Sequence, residues 1–510
     1  MRAGVWLCWL LAGALGAADL DLVEVHWAVP PLDNGGRFGL CAVRVHNNLD
    51  RPVGPALTLH ADDGLGGGMV YQAAWECAGG SSRWAVFAPW CDGAPLRLGV
   101  AGGPDIDRLE VPKPSANSVL YLSGPQERPT GETTFPADLL PSTVGALDGW
   151  SELRLRHEPA WTPAQRQAVS DWALAGGRIL RLPDATGARP ALTYLPPATP
   201  SATAMPVKAA DDASDWREFD TILGRWLGSP LHRQVPWGVV LSGLVVYALV
   251  LGPGLRLLAR RRHWLLVHGV LLAVVLLSTT AIAVLASRGF GAPPRAIQVV
   301  IATAAGPERW VLDRWLTVLE PAGGQVSWQV PGDGVWTGHA DDAGLPLVAT
   351  AGHQASLAGR VPPWGRRLLR QRGGVAGLNV QVQRRGAAIH LAGELPSIHH
   401  VWEWHAGAFT PLSRDDSDNW IASPGWDGEQ TGRNAVATLQ RLRYGTGKDA
   451  AEVMTSTQDL LLARALGLPG TGAVPDLRHL ILVWADLPEA WQLVDGREQP
   501  GRALLMLPAP

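Results

Sequence analysis

The chain has 510 residues, too many for one ordinary hydrophobic core, so two to four folded units are expected. Its net charge of −3 excludes a general polyanion-binding surface, which needs a broad excess of basic groups. Charged residues make up only 17 %, below the about 25 % usual for soluble proteins, so apolar segments displace them. Of the basic residues only Lys113, Lys208 and Lys448 are lysines, which reads as GC-rich bacterial codon usage. The 24 Trp are scattered along the chain and read as core fillers rather than as one sugar-stacking surface.

Residues 1–18, MRAGVWLCWLLAGALGAA, carry a positive charge at Arg2, an apolar run and small residues before a cleavage point after Ala18. This is the pattern of a secretory signal, too short for a stable span. Three cysteines follow it: Cys41, Cys77 and Cys91. Export permits disulfides, and Cys77–Cys91, flanking a strand-like SSRWAVFAPW, is the preferred of three pairings.

Residues 19–112 alternate short strand-like runs (LVEVHW, GLCAVRVHNN, ALTLHA, RWAVFAP, LRLGVA) with Gly/Asp/Asn/Pro turns, which predicts a β-sandwich. The glycines of DDGLGGG open no helix, so they are not a phosphate loop. After the linker VPKPSAN the pattern becomes strand, strand, helix, strand over 117–196. In WTPAQRQAVSDWALAGG, Thr162 is a good N-cap, Pro163 suits the first turn and Gln165 completes a capping box. Such an order predicts an α/β unit on a parallel sheet. Residues 197–235 read as a linker and then an amphipathic helix, with Trp216, Phe219, Ile222, Leu223 and Trp226 on one side, expected to lie on a membrane surface.

Residues 236–255 and 264–287 are two uncharged runs long enough for membrane helices. The turn between them, 256–263, holds Arg256, Arg260, Arg261 and Arg262, which places it in the cytoplasm by the positive-inside tendency. The expectation is an inner-membrane protein with two spans and both flanking regions periplasmic.

Residues 289–510 are read as a β-rich domain with a helix at AAEVMTSTQDLLLARALG. RWVLDRWLTVL fits both helical and strand templates. HHVWEWH puts His399, Glu403 and His405 on one strand face, without the spacing of a zinc site. SRDDSDNW, with Asp415, Asp416 and Asp418, lacks the Gly and distal Glu of a calcium loop. YGTGKDA lacks the remaining elements of a phosphate loop.

ALDGWSELRLR followed by TPAQRQAVSDWALAGGRILRLP resembles the glutamine-amidotransferase-like (flavodoxin-like) domain of certain exported bacterial membrane proteins. In these a β-sandwich comes first, a YALVLGPGLRLLARRRHW-like segment joins two membrane helices, and a β-rich region ends the chain. The resemblance favours a strand for RWVLDRWLTVL and implies an architecture rather than an activity. True amidotransferases of this class use a Cys nucleophile. This chain has no Cys after Cys91 and no G-x-S-x-G elbow to replace it. His157 and Glu158 therefore have no nucleophile to serve.

The resulting expectation is a multidomain α/β plus β protein without catalytic, cofactor-binding or metal-binding residues. Its function would be non-enzymatic binding or scaffolding in the cell envelope. The expected partners are the lipid bilayer and other envelope proteins, not nucleic acid. Two alternatives stand beside it: a hydrolase with a non-Cys site in the amidotransferase-like domain, and an accessory subunit of a transporter.

Overall fold

A computed structural model describes residues 19–31, 37–61, 69–91, 94–124, 133–147, 149–183, 219–231, 241–243, 245, 248–249, 264–287, 292–329, 331–340, 347–350, 355–405, 408–423, 450–466, 478–492 and 500–510. The signal segment, the linker before residue 216, the arginine turn with Arg256, Arg260, Arg261 and Arg262, and YGTGKDA up to residue 449 lie outside them.

The first part of the chain forms β1 (Leu20–Ala28), β2 (Arg37–Phe38), β3 (Leu40–Asn47), β4 (Ala56–Ala61), β5 (Met69–Ala74), β6 (Ser82–Phe87), β7 (Trp90–Cys91), β8 (Leu96–Val100) and β9 (Asp105–Leu109). Strands β1, β3 and β6 make a three-stranded antiparallel sheet, and β2 and β7 make a separate short antiparallel pair. Then come β10 (Val119–Ser123), β11 (Thr134–Pro136), β12 (Glu152–Leu155), α1 (Pro163–Leu174) and β13 (Arg178–Arg181). These four strands lie parallel in the order β11-β10-β12-β13. The cap of α1 is the one its sequence encodes. The Thr162 hydroxyl accepts from Gln165 N at 3.3 Å, and the Gln165 side chain accepts from Thr162 N at 2.8 Å.

Two helices follow, α2 (Phe219–Gly228) and α3 (Trp264–Ser287). The rest is β14 (Arg295–Ala304), β15 (Arg309–Glu320), β16 (Gly324–Gln329), β17 (Val335–Ala340), β18 (Leu347–Thr350), β19 (Ser356–Val361) and β20 (Gly365–Ala376). The chain continues through β21 (Val380–Arg385), β22 (Ala388–Gly393), β23 (Ile398–His405), β24 (Ala408–Arg414), β25 (Trp420–Ala422), α4 (Ala450–Leu466), β26 (Leu480–Asp486) and β27 (Gly501–Pro508). RWVLDRWLTVL is a strand, β15. It pairs along its whole length with β20, and its β-branched and aromatic residues suit a ladder buried on both faces.

Most of the later strands join one eleven-stranded sheet, β17-β20-β15-β14-β27-β26-β23-β24-β25-β22-β21. The others cross to the first part of the chain. A seven-stranded sheet runs β16-β19-β18-β5-β4-β8-β9, and its two halves join where β18 lies parallel to β5, with Leu347 opposite Met69. One cluster of buried side chains runs from Leu20 through Leu120 and Leu153 to Leu369, so it draws on the three-, four-, seven- and eleven-stranded sheets together.

Three expectations are corrected. The parallel unit is no flavodoxin-like domain. Its four strands are short, α1 is the helix described among them, and Leu120, Leu153 and Trp172 belong to the core shared with the other sheets. The helix expected on a membrane surface, α2, instead turns its apolar side into the protein. Phe219, Ile222, Leu223, Trp226 and Leu227 are buried, Phe219 meets Trp315 edge-on at 5.7 Å, and Thr317 donates to Gly224 O at 3.0 Å. The same stripe of apolar residues that suits a bilayer surface suits a sheet face. Finally, among the described residues no helix is long and apolar enough to cross a membrane, so the two-span inner-membrane hairpin is overturned. Helix α3 has 24 residues. Leu272, Leu276, Leu277 and Ile282 on it are exposed.

Candidate functional site

Strand β23 carries the constellation singled out in the sequence. Val401 points into a core with Val483, Leu412 and Trp420, while Trp402 and Trp404 point into a second core with Leu482 and Leu504. Glu403 and His405 alternate onto the face of Val401, while a register shift between Ile398 and His400 interrupts the alternation at His399. The structure brings together groups that the sequence scatters. His479, just before β26, donates from Nε2 to Glu403 Oε1 at 2.7 Å. Arg384 of β21 pairs with the same oxygen. His405 meets His479 edge-on, with ring centroids 4.5 Å apart. Partial burial pushes the Glu403 carboxyl up, but the hydrogen bond from His479 and the charge of Arg384 outweigh it and hold the group below the usual carboxylate range.

His399 belongs to a separate cluster. Its Nε2 donates to Asp486 Oδ1 at 2.9 Å, and Arg502 pairs with the same carboxylate. Burial and then the Arg502 charge hold the His399 imidazole below its ordinary value. The strand face thus divides into two clasps, each a carboxylate held by one imidazole and one guanidinium. His479, Arg384, Asp486 and Arg502 carry no local sequence signal for these roles; only the sheet order places them there. No group of three or more His, Cys, Asp or Glu with metal-holding geometry occurs among the described residues.

The other sequence candidates are placed as follows. Cys77 and Cys91 are both buried and are not bonded to each other, so the structure does not contain the expected disulfide. Cys77 Sγ lies 3.2 Å from Ser81 Oγ, while Cys91, opposite Arg37, turns toward Gly39, with Sγ 2.7 Å from where a Cβ would stand. Asp415 caps its own turn, accepting from Ser417 N and Asn419 N at 2.8 Å each, and Arg414 pairs with Asp418. At the carboxyl ends of the parallel strands, where such sheets bind ligands, the His157 ring lies beside Gly124, 3.3 Å from where a Cβ would stand.

Two further polar features escaped the sequence reading. Arg370 on β20 makes a two-pronged ion pair with Asp313, at 3.0 and 2.9 Å, and its guanidinium lies 5.5 Å from the Trp90 ring and 5.3 Å from the Trp315 ring. This ties β7 to β15 across the molecule. Arg314 on β15 is wholly buried, and none of its three guanidinium nitrogens has a hydrogen-bond partner. Burial pulls it down to about 10.

A small cleft, with a cavity volume of about 20 Å³, opens where three sheets meet. Tyr71 and Gln72 of β5, Ala349 and Thr350 of β18, Val86 and Phe87 of β6, then Ala88, and Val335 and Trp336 of the edge strand β17 line it. That volume has room for about one water and is far below that of small-molecule sites. No protein-family model, curated protein or solved structure matches this chain, so the resemblance to exported amidotransferase-like proteins finds no support there.

Proposed function

We propose that the protein is a non-enzymatic binding or scaffold protein that meets other proteins of a bacterial cell envelope, using the rim of β23 as one contact surface. The state of Glu403 carries this reading. A general acid at neutral pH needs a carboxyl pushed upward, by burial or by a neighbouring carboxylate. Glu403 is instead held as an anion by His479 and Arg384. Paired charges on a rigid sheet, partly open to solvent, suit recognition, where electrostatic complementarity sets partner choice. Asp486, between His399 and Arg502, repeats the arrangement 87 residues away in sequence from its imidazole.

The test is site-specific photo-crosslinking from position 405 in the producing cell, followed by identification of the captured protein and measurement of its binding to the purified full chain. A defined partner whose affinity falls about tenfold in both Glu403→Ala and Arg384→Ala supports the reading; truncating one member of a partly desolvated charge pair has this order of effect. Turnover of a glycan, peptide or amide by the purified protein, abolished by Glu403→Gln, would overturn it.

A further inference from the structure

We infer that two copies of this chain pair edge to edge through β16, antiparallel about a two-fold axis at Ser327. The inference is independent of the β23 surface. Strand β16 ends the seven-stranded sheet, with β19 as its one neighbour there. An end strand presents a row of backbone donors and acceptors that another chain can complete, and native proteins blunt such edges with charges, proline, bulges or brevity. Among the described residues the other sheet ends are blunted or covered. β9, at the far end of the same sheet, carries Asp105, Asp107 and Arg108 and a register shift beside it. β1, β6, β13 and β21 each carry at least one Arg, Asp or Glu. β11 is three residues long and ends in Pro136, β2 and β7 have two residues each, and β17 is buried over Val335, Trp336 and Thr337. β16 has six residues and none of these devices.

The edge is its own complement. Gln325-Val326-Ser327-Trp328-Gln329 has one pattern read in either direction: amide, apolar, hydroxyl, apolar, amide. Gln325, Ser327 and Gln329 are exposed on one face, while Val326 and Trp328 are buried on the other. A two-fold turn about Ser327 sets Gln325 against Gln329 of the second copy, Val326 against Trp328, and Ser327 against Ser327. Opposite residues of an antiparallel ladder share a face, so polar meets polar and apolar meets apolar in this register. A slip of one residue sets the buried Val326 against the exposed Ser327 and loses the match. No like charges meet at the join, since β16 has none and Arg360, opposite Gln325, stands one strand further in. A two-fold contact requires a patch that fits itself in this way. One strand from each copy makes a small interface, so the pairing belongs in the micromolar range.

The test is sedimentation equilibrium of the purified full chain over about 1–100 µM, with wild type, Ser327→Lys, Ser327→Asp and an equal mixture of the two variants. Wild type is expected to pass from one copy to two across this range. Ser327 meets its own counterpart, so each variant alone opposes like charges and should pair about tenfold more weakly. In the mixture Lys meets Asp, and the dimer should return. If a charged variant does not fold, Ser327→Cys answers instead. Directly opposed residues stand about 4.5–5.5 Å apart at Cα, within disulfide reach, so mild oxidation should link two copies covalently and leave wild type unlinked. The inference is overturned if wild type stays a single copy throughout, as it would were another segment of the chain seated on β16. It is equally overturned if both charged variants pair as wild type does, if their mixture stays apart, or if Ser327→Cys gives no linked dimer.

Discussion

Arg314 and Arg370 lie on adjacent strands, both almost entirely buried, and yet should respond to mutation in opposite directions. Arg370 has a bidentate carboxylate and two indole faces. Replacing it with Met strands Asp313 beside Arg372 alone and should lower the unfolding free energy by about 3 kcal/mol, as for other broken buried pairs. Arg314 has none of these contacts, so Arg314→Met removes an uncompensated charge and should raise stability by about 1–3 kcal/mol. Urea titration of both variants checks the pair. The Arg314 penalty is present throughout the pH range below about 10. Above that, the folded form gives up its proton before the unfolded form does, so stability from this group rises with pH.

Glu403 behaves in the opposite sense. Its folded value lies below the unfolded one, so its contribution is complete above the usual carboxylate pKa and disappears as pH falls through the lowered folded value. Wild type should exceed Glu403→Gln by up to about 1 kcal/mol at pH 6, with the gap closing near pH 3. Titrating both by denaturant at the two pH values tests the sign. HHVWEWH was legible as a polar strand face, because alternation is a local property. The partners were not, because His479 is 76 residues from Glu403, and pairing across a sheet leaves no mark on spacing.

At the scale of elements, α1 and α2 were legible as helices and only one was legible in place. The capping box of α1 is written within four consecutive residues, and Thr162→Ala should cost about 1 kcal/mol, measured by thermal unfolding. The apolar stripe of α2 was equally clear, but a stripe says that a face is covered and not by what. Gly224 supplies the missing detail. A Cβ there would collide with the Leu368 side chain, so the helix sits against β20 with glycine at the contact. Gly224→Ala should therefore lift α2 from the sheet and cost about 1–3 kcal/mol, although alanine is the better helix former. A stabilising result in a denaturant series would show that α2 is not docked this way. The capping box also explains the appeal of an α/β domain: the parallel pairing of β10, β12 and β13 is real, but the unit ends after four short strands and borrows its core from its neighbours.

Taken whole, the molecule departs furthest from its sequence reading in how its parts combine. Turn signals marked strands in 19–112 and in 289–510, and each region looked sufficient to itself. The seven-stranded sheet instead takes four strands from the first region and three from the second. The exchange depends on β18, a four-residue strand whose LVAT says nothing about a partner in β5. Arg370 under Trp90 and Arg309 paired with the buried Asp171 add further joints between distant segments. A fragment of residues 19–112 should thus fail to reach a cooperative fold, with protected amides absent from β5 in hydrogen exchange. In the full chain β5 should be among the slowest to exchange.

The parallel contact between β5 and β18 also sets a clock on synthesis. About 280 residues separate Met69 from Leu347. At the about 5–20 residues per second of translation, β5 waits tens of seconds with one edge unpaired before its neighbour is made. An open strand edge is a template for association with other chains. Delivery of the nascent chain in the company of a holdase, rather than the stability of the finished fold, should then decide how much protein matures. Slowing translation downstream of residue 74 should lower the yield of soluble product, whereas the same slowing after residue 361 should leave it unchanged.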